Sequence, residues 1–435
     1  MQKIYLLIVC LLFSTMGMAQ RLNNGELKLD TEGSKYLKLT LLSQLWLRYE
    51  KYNPGSVTSG YPIASGFDIG IRRYRVQLYG QLTDRVFFYS QFGENNFNHL
   101  ADRKQGFFVH DVVGEYDLVK DKLTLGAGLT GWVGSSRFSS PSVGSILGID
   151  APLFLQSTND VTDQFLRKLA VYAKGAVGKL SYRLSVADPL VYAKSAAAGN
   201  SAVIGTNSSF SRRPAKAQLN AYGQYQFKDK ESNKTPYMTG TYLGDKKVFN
   251  LGAGIVFQPN AMWRLEGEGD TRDTATSNLL QVSADAFWDG PVGQEGAALS
   301  LYGNATYFDF GKGYLRNLAV MNPVSSNATE GYLNGSGIGF PAYGTGMSLY
   351  GQVGYKLARQ VLGTVSLMPY MSVQYARYDR LKQAMNFADV GINALIKGHS
   401  AKATLAYQNR PLYDQEGELT GHRGGLLLQY QVYFN

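Results

Sequence analysis

Residues 36–50 read YLKLTLLSQLWLRYE. Leu37, Leu39, Leu41, Leu45, Leu47 and Tyr49 fall on one parity, and Lys38, Thr40, Gln44, Arg48 and Glu50 on the other; Leu42, Ser43 and Trp46 blur the rule. Successive side chains of a strand point to opposite faces, so this stretch is a strand with one apolar and one polar side. The pattern returns along the chain. Leu219, Ala221, Gly223, Tyr225 and Phe227 alternate with Gln218, Asn220, Tyr222, Gln224 and Gln226, and Met347, Leu349, Gly351, Val353 and Tyr355 alternate with Ser348, Tyr350, Gln352 and Lys356.

Alternation alone also describes a soluble β-sandwich. Segment length argues for a membrane instead: many segments run to about ten residues, which suits a tilted bilayer-crossing strand and exceeds the usual five or six of a soluble sheet. The connections add a second argument, because short ones (83–85, 119–122, 178–179 and 397–400) mostly alternate with long ones (51–67, 130–167, 189–215, 259–278 and 311–343). Short periplasmic turns opposite long extracellular loops are the asymmetry of transmembrane barrels. The connection 228–246 is the exception, long where a short one is expected.

Strands are predicted at 36–49, 69–82, 86–95, 108–118, 123–129, 168–178, 180–188, 217–227, 247–258, 279–289, 297–310, 345–357, 363–378, 386–397, 401–410 and 424–435. The fold class is therefore all-β, a transmembrane antiparallel barrel of about sixteen strands, a size that encloses a water-filled channel. Tyr242-Leu243-Gly244-Asp245 is read as turn, since an extra strand there would make the count odd. Pro369 lies inside a predicted strand, where a proline implies a bulge or break. In the last strand Leu426, Leu428, Tyr430, Val432 and Phe434 alternate with Leu427, Gln429, Gln431, Tyr433 and Asn435, which resembles the terminal tag read by the outer-membrane assembly machinery.

At the other end, Lys3 precedes an apolar run from Ile4 to Phe13, followed by Gly17-Met18-Ala19. That reads as a secretory signal peptide over residues 1–19, cleaved near Ala19; the run is too short for a spanning helix. Residues 20–35 then form an N-terminal periplasmic segment and 36–435 the barrel. The lone Cys10 lies in the signal, so the exported chain has no thiol for a disulfide, nucleophile or metal site. The formal charge of +10 comes from dispersed basic residues, with no run longer than pairs such as Arg72-Arg73, Arg212-Arg213 and Lys246-Lys247, which argues against nucleic acid. An enzyme is not expected either. His99, His399 and His422 fall in loops or turns and His110 on the lipid-facing parity, with no nucleophile-elbow or metalloprotease motif beside them. Gly267-Glu268-Gly269-Asp270 lacks the ligand spacing of a calcium loop, and no cofactor or metal is called for.

Several strings are similar to those of the phosphate-selective porin O and P family, particularly its relatives in Bacteroidota-type, Gram-negative bacteria. They are Ile71-Arg72-Arg73-Tyr74-Arg75-Val76 leading through Gly80 to Val86-Phe87-Phe88-Tyr89; Leu169 to Gly175 with Gly178 to Arg183; and Thr241 to Lys247 before Leu251 to Gly254. Near the end stand Met368-Pro369-Tyr370, Gly391-Ile392-Asn393 and Lys397-Gly398-His399-Ser400-Ala401-Lys402. The resemblance implies a sixteen-stranded porin, a homotrimer, with a loop folded into the lumen and lipid and lipopolysaccharide around it. The loop expected inside is 130–167, whose apolar runs Val143 to Ile149 and Ala151 to Leu155 suit water poorly. Its basic residues are Arg137 and Arg167, against Asp150, Asp160 and Asp163, which does not by itself carry phosphate selectivity.

By parity the lumen receives Lys38, Arg48, Arg73, Arg75, Lys174, Arg183, Lys356, Lys402 and Arg410 against Glu50, Asp111, Glu115, Asp117, Asp285 and Asp389. From these, and from the inward loop, the expected pore-lining set is Arg73, Arg75, Asp111, Glu115, Arg137, Lys174, Arg183, Lys356 and Lys402, with Arg73 and Arg75 as the leading pair. A basic lining favours small hydrophilic anions. The competing structural expectation is that these charges pair with one another, for instance an arginine with Glu115, because buried charges need partners. The expected function is a porin for passive diffusion, with weak anion preference. The alternative is a loop-occluded barrel serving as a binding or scaffold component.

Overall fold

The computed structural model describes residues 25–101, 106–156, 167–188, 204–211, 213–214, 216–267, 273–293, 295–324, 332–358, 360–361 and 363–434. The signal peptide read at 1–19, Asp160, Asp163 and Arg212 lie outside them. Sixteen long strands form the wall: β1 (Tyr36–Lys51), β2 (Ser65–Gln81), β3 (Val86–Phe97), β4 (Phe108–Val119), β5 (Leu123–Thr130), β6 (Lys168–Val177), β7 (Leu180–Asp188), β8 (Gln218–Gln226), β9 (Val248–Glu266), β10 (Asp273–Pro291), β11 (Ala298–Asp309), β12 (Gly346–Lys356), β13 (Val365–Tyr378), β14 (Met385–Lys397), β15 (Ala401–Tyr413) and β16 (Leu419–Phe434). Each pairs antiparallel with the next, and β16 pairs back onto β1 from Leu41↔Phe434 to Glu50↔Gly425. The sheet is closed. Closure matters because an open edge in hydrocarbon would leave backbone N–H and C=O groups without partners. No helix among the described residues is long and apolar enough to cross a membrane.

The period of two decides which side chains meet lipid. Leu125, Val171, Leu184, Leu219, Ile255, Val282, Leu349, Ile392, Leu405 and Leu428 all point outward and are exposed. Aromatic residues gather at two heights on that surface. Tyr49, Phe67, Tyr307 and Tyr375 stand toward the ends of the strands that meet the long loops, and Tyr116, Tyr225, Tyr355, Tyr430 and Phe434 toward the opposite ends. Two aromatic girdles flanking an aliphatic band are what a barrel wall in a bilayer requires.

Two local readings need correction and a third is narrowed. The stretch read as a long loop at 259–278 is mostly strand: β9 bulges between Gln258 and Met262, then pairs with β10 again up to Glu266↔Asp273. Pro259 ends regular pairing and Asn260 takes a left-handed φ of 52°, but the ladder resumes beyond them. Pro369 makes no bulge. It pairs with Ile392 in an unbroken β13–β14 register; the expected break lies on its other side, where β12 runs on to Lys356 but its ladder with β13 stops at Gly354↔Tyr370. His110 does not face lipid. Gln91 pairs with Asp111 and Phe92 with Val109, so His110 is the extra residue of a β4 bulge, buried with its ring 4.1 Å from that of Phe108.

Candidate functional site: the filled lumen

Among the described residues two segments of the chain cross the inward face of this barrel, and a third connection also reaches it, where Arg48 donates to the Val320 carbonyl at 3.0 Å and Gln374 to the Ala342 carbonyl at 2.8 Å. Residues 131–156 enter from the long-loop end and cross the lumen with two short 3-10 turns, Arg137–Ser139 and Leu153–Gln156. The apolar side chains Trp132, Phe138, Ile146, Leu147, Ile149, Phe154 and Leu155 are all buried there. Polar wall residues hold its backbone on every side. Asn220 accepts from the Gly134 amide at 3.1 Å, Asp285 from the Arg137 amide at 2.6 Å, and Arg183 donates to the Ser136 carbonyl at 2.7 Å. Across the lumen Gln44 donates to the Val143 carbonyl at 3.0 Å, Lys402 to Ile146 at 2.8 Å and Asn393 to Leu147 at 3.0 Å. The wall is glycine where the segment comes closest: a Cβ on Gly254 would stand 2.4 Å from the Ser135 carbonyl oxygen.

The second inward segment is the exceptional connection, 227–247. It enters from the opposite, short-turn end and meets the first along a parallel bridge, Pro141↔Met238, with amide-to-carbonyl bonds in both directions between Ser142 or Ser140 and Met238. Arg137 and Glu231 close the junction through two bonds of 2.6 Å, with the guanidinium stacked 3.7 Å from the Phe287 ring centroid. Burial alone would raise the Glu231 carboxyl, but the Arg137 guanidinium outweighs it and holds Glu231 below the ordinary carboxylate value. The wall again supplies donors. Lys356 donates to the Leu243 carbonyl and Lys174 to that of Lys234, while His399 lies 2.9 Å from the Thr241 carbonyl. Burial, with the Lys402 charge nearby, pushes His399 down to about 3 and keeps it neutral.

Eight of the nine sequence-predicted residues are buried inside the barrel, Lys356 is half-buried, and most of them are engaged with the inward segments. Glu115 is bound by Lys174 at 2.7 Å, Tyr172 at 2.7 Å and Trp132 at 3.2 Å, so Lys174 and not an arginine is its ionic partner. Asp111 accepts from Arg167 at 2.9 Å and from Tyr237 at 2.6 Å. Arg73 reaches Asp150 at 2.5 Å and Gln44 at 3.0 Å, and Arg75 donates to the Glu94 carbonyl at 2.7 Å. Sequence parity missed Arg72. Gln44 pairs with Arg73 and Leu45 with Ile71, so Arg72 sits in a β2 bulge, buried beside Arg73, and binds the same Asp150 at 2.7 Å. Two adjacent arginines mid-strand are a signal for such a bulge, since strict alternation would put one of them in lipid.

Among the described residues the packing leaves spaces inside the barrel. A cavity of about 110 Å³ lies between β2, β3 and the two inward segments, lined by Arg73, Arg75, Arg167, Gln77, Gln91, Tyr79, Tyr89, Tyr237 and the 141–144 stretch, with no carboxylate among the described lining residues. A vestibule of about 860 Å³ at the short-turn end is lined by Gln81, Phe87, Lys174 and Lys234 among others. Another, about 90 Å³, is mainly apolar and lies beside Leu318, Val320, Ile338 and Ala342.

No family model matches the chain, and no curated protein matches it in sequence. Among solved structures, OprB of Pseudomonas putida superposes with a TM-score of 0.52 over 92% of this chain and 94% of its own, at 10% identity. The chain has the porin fold. That fold and the girdled outer wall place it in an outer membrane. The outer-membrane channel DcaP of Acinetobacter baumannii aligns at a TM-score of 0.47 and 11% identity, covering 92% of this chain and 99% of that one. An anion-selective porin of Comamonas acidovorans aligns at 0.44 and 11%, covering 92% and 100%. Identities this low speak to the architecture of the porin barrel and leave its solute to be argued from its own lumen.

Proposed function

We propose that this barrel is an outer-membrane porin that passes small hydrophilic anions along one wall, past Arg73, Arg75 and Arg167. The observation that carries the reading is the basic cavity, whose described lining holds three guanidinium groups and no carboxylate. It lies end to end with the vestibule: Tyr79, Tyr89 and Thr235 line one, and Gln81, Phe87 and Lys234, the next positions along the same elements, line the other. The vestibule holds as many lysines as carboxylates, so discrimination by sign falls to the cavity. On the far side of the lumen Phe138, Phe154, Phe287, Tyr302, Phe308 and Tyr350 pack into one aromatic cluster. The likeness to phosphate-selective porins and the homotrimer it implies belong to this proposal.

Conductance and reversal potential of the purified protein in planar bilayers under a salt gradient test it. A measurable current with a potential on the anion side is expected. A specific observation also favours the occluded-scaffold alternative, since both inward segments are tied together across the lumen. A barrel that carries no current, intact or with residues 230–240 shortened, would support that alternative.

A further inference from the structure

The apolar cavity beside Leu318, Val320, Ile338 and Ala342 is a separate site on the β13–β16 side, and its walls carry an unusual charge. Trp46, Phe154, Tyr350, Phe340 and Phe387 line it. The last two rings stack at 4.7 Å between centroids, and Phe154 and Tyr350 lie at 5.6 Å. Among these rings stands Asp389 of β14, 5% exposed. Its two oxygens accept one bond each, from the Tyr370 hydroxyl at 2.8 Å and the Gln408 amide at 3.0 Å. Both donors are neutral, and no cationic side chain of the described residues forms an ion pair with it. The cavity's other charges are committed: Arg48 to Asp68 at 2.7 Å, and Asp150 to Arg72 and Arg73.

A carboxylate in an apolar enclosure is costly without a counter-charge, and neutral hydrogen bonds reduce that cost without cancelling the charge. Aromatic faces attract cations at the same time as they bury hydrocarbon. We infer that this cavity is a binding site for a small organic cation, a short alkylammonium whose charged head meets Asp389 and whose apolar body lies against Phe154, Tyr350 and Phe387. Size limits the ligand. A cavity of 150 Å³ holds a benzene ring, so about 90 Å³ suits a chain of roughly four or five heavy atoms. The site is independent of the basic route and of the anion reading.

Titration calorimetry on the full chain in detergent micelles tests this with n-butylammonium, n-butanol and butyrate as probes. The ammonium is expected to bind at least tenfold more tightly than the alcohol, and Asp389→Asn to bring the two level. Ser372→Leu, which adds bulk opposite Asp389 in the β13–β14 register while leaving the carboxylate, is expected to abolish both. Equal wild-type affinity for ammonium and alcohol, tighter binding of butyrate, or unchanged ammonium binding in Ser372→Leu would each overturn the inference. Should Asp389→Asn not fold, the wild-type comparison and Ser372→Leu still decide.

Discussion

Arg73 of β2 and Asp150 of the inward segment meet at 2.5 Å, and each lines a different space: Arg73 the basic cavity, Asp150 the apolar one. The ion pair is thus part of the partition dividing the lumen. Arg72 shares the same carboxylate from the bulge next door.

Asp150→Asn is expected to be the more damaging side of this partition to change. It leaves two buried guanidinium groups without the carboxylate they share, and removing one partner of a buried pair costs roughly 3–5 kcal/mol. The midpoint of the heat-induced mobility shift on gels should fall clearly. Bilayer conductance should rise as residues 131–156 lose their hold on β2.

Arg73→Gln combined with Arg75→Gln makes the opposite comparison. Asp150 keeps Arg72 through bonds of 3.0 and 2.7 Å, so the acid is not stranded. Stability should drop much less than in Asp150→Asn, while the anion-to-cation permeability ratio, read from the reversal potential, should fall severalfold. A variant with wild-type reversal potential would retire the anion route.

The pairing of Glu231 with Arg137 and the neutral state of His399 give acid a definite effect. Glu231 has a lowered folded value, so its contribution is complete above its ordinary 4.5 and is lost as pH falls through the lowered one. His399 titrates near 3 when docked against an ordinary 6.5, so the released state takes up its proton first and docking weakens as pH falls from 6.5 toward 3. Both groups loosen residues 228–247 in acid and neither does so in base. Limited proteolysis of this segment should therefore accelerate between pH 6 and 4, and His399→Asn should flatten the upper part of that profile.

The wall was legible in the sequence because membrane strands obey a period of two with few exceptions. All sixteen predicted strands correspond to observed ones; at Arg72 and His110 one inserted residue resets the parity, while around Asn260 two extra residues interrupt the ladder and keep it. The lumen was less legible. Parity tells that Lys174, Arg183, Lys356 and Lys402 point inward, but their partners include the carbonyls of Lys234, Ser136, Leu243 and Ile146, and a backbone acceptor has no residue signature. Asn393, His399 and Lys402 all contact inward-segment carbonyls, so the stretch from Gly391 to Lys402 marks where the inward segments are held. The length of 228–246 was the other clue, since a surplus of chain at the short-turn end has only the lumen or the periplasm to occupy.

Shortening that surplus is the sharpest test of how solutes cross. Replacing residues 230–240 by a four-residue Gly-Ser turn removes the Glu231 contact to Arg137, the Tyr237 hydroxyl from Asp111, and the Lys234 carbonyl from Lys174. It also removes Thr235 and Tyr237 from the basic cavity and Lys234 from the vestibule, which are the residues standing between the two spaces. The wall itself loses no strand, so the heat-induced mobility shift should persist at a lower temperature. If anions pass along β2 and β3, single-channel conductance should rise severalfold with anion preference retained, because Arg73, Arg75 and Arg167 stay in place. A barrel that is silent when intact and conducts only after shortening would instead make residues 228–247 a plug and the resting protein a closed one. Unchanged conductance would show that the route does not run past this segment, and would remove the end-to-end alignment of cavity and vestibule from the argument.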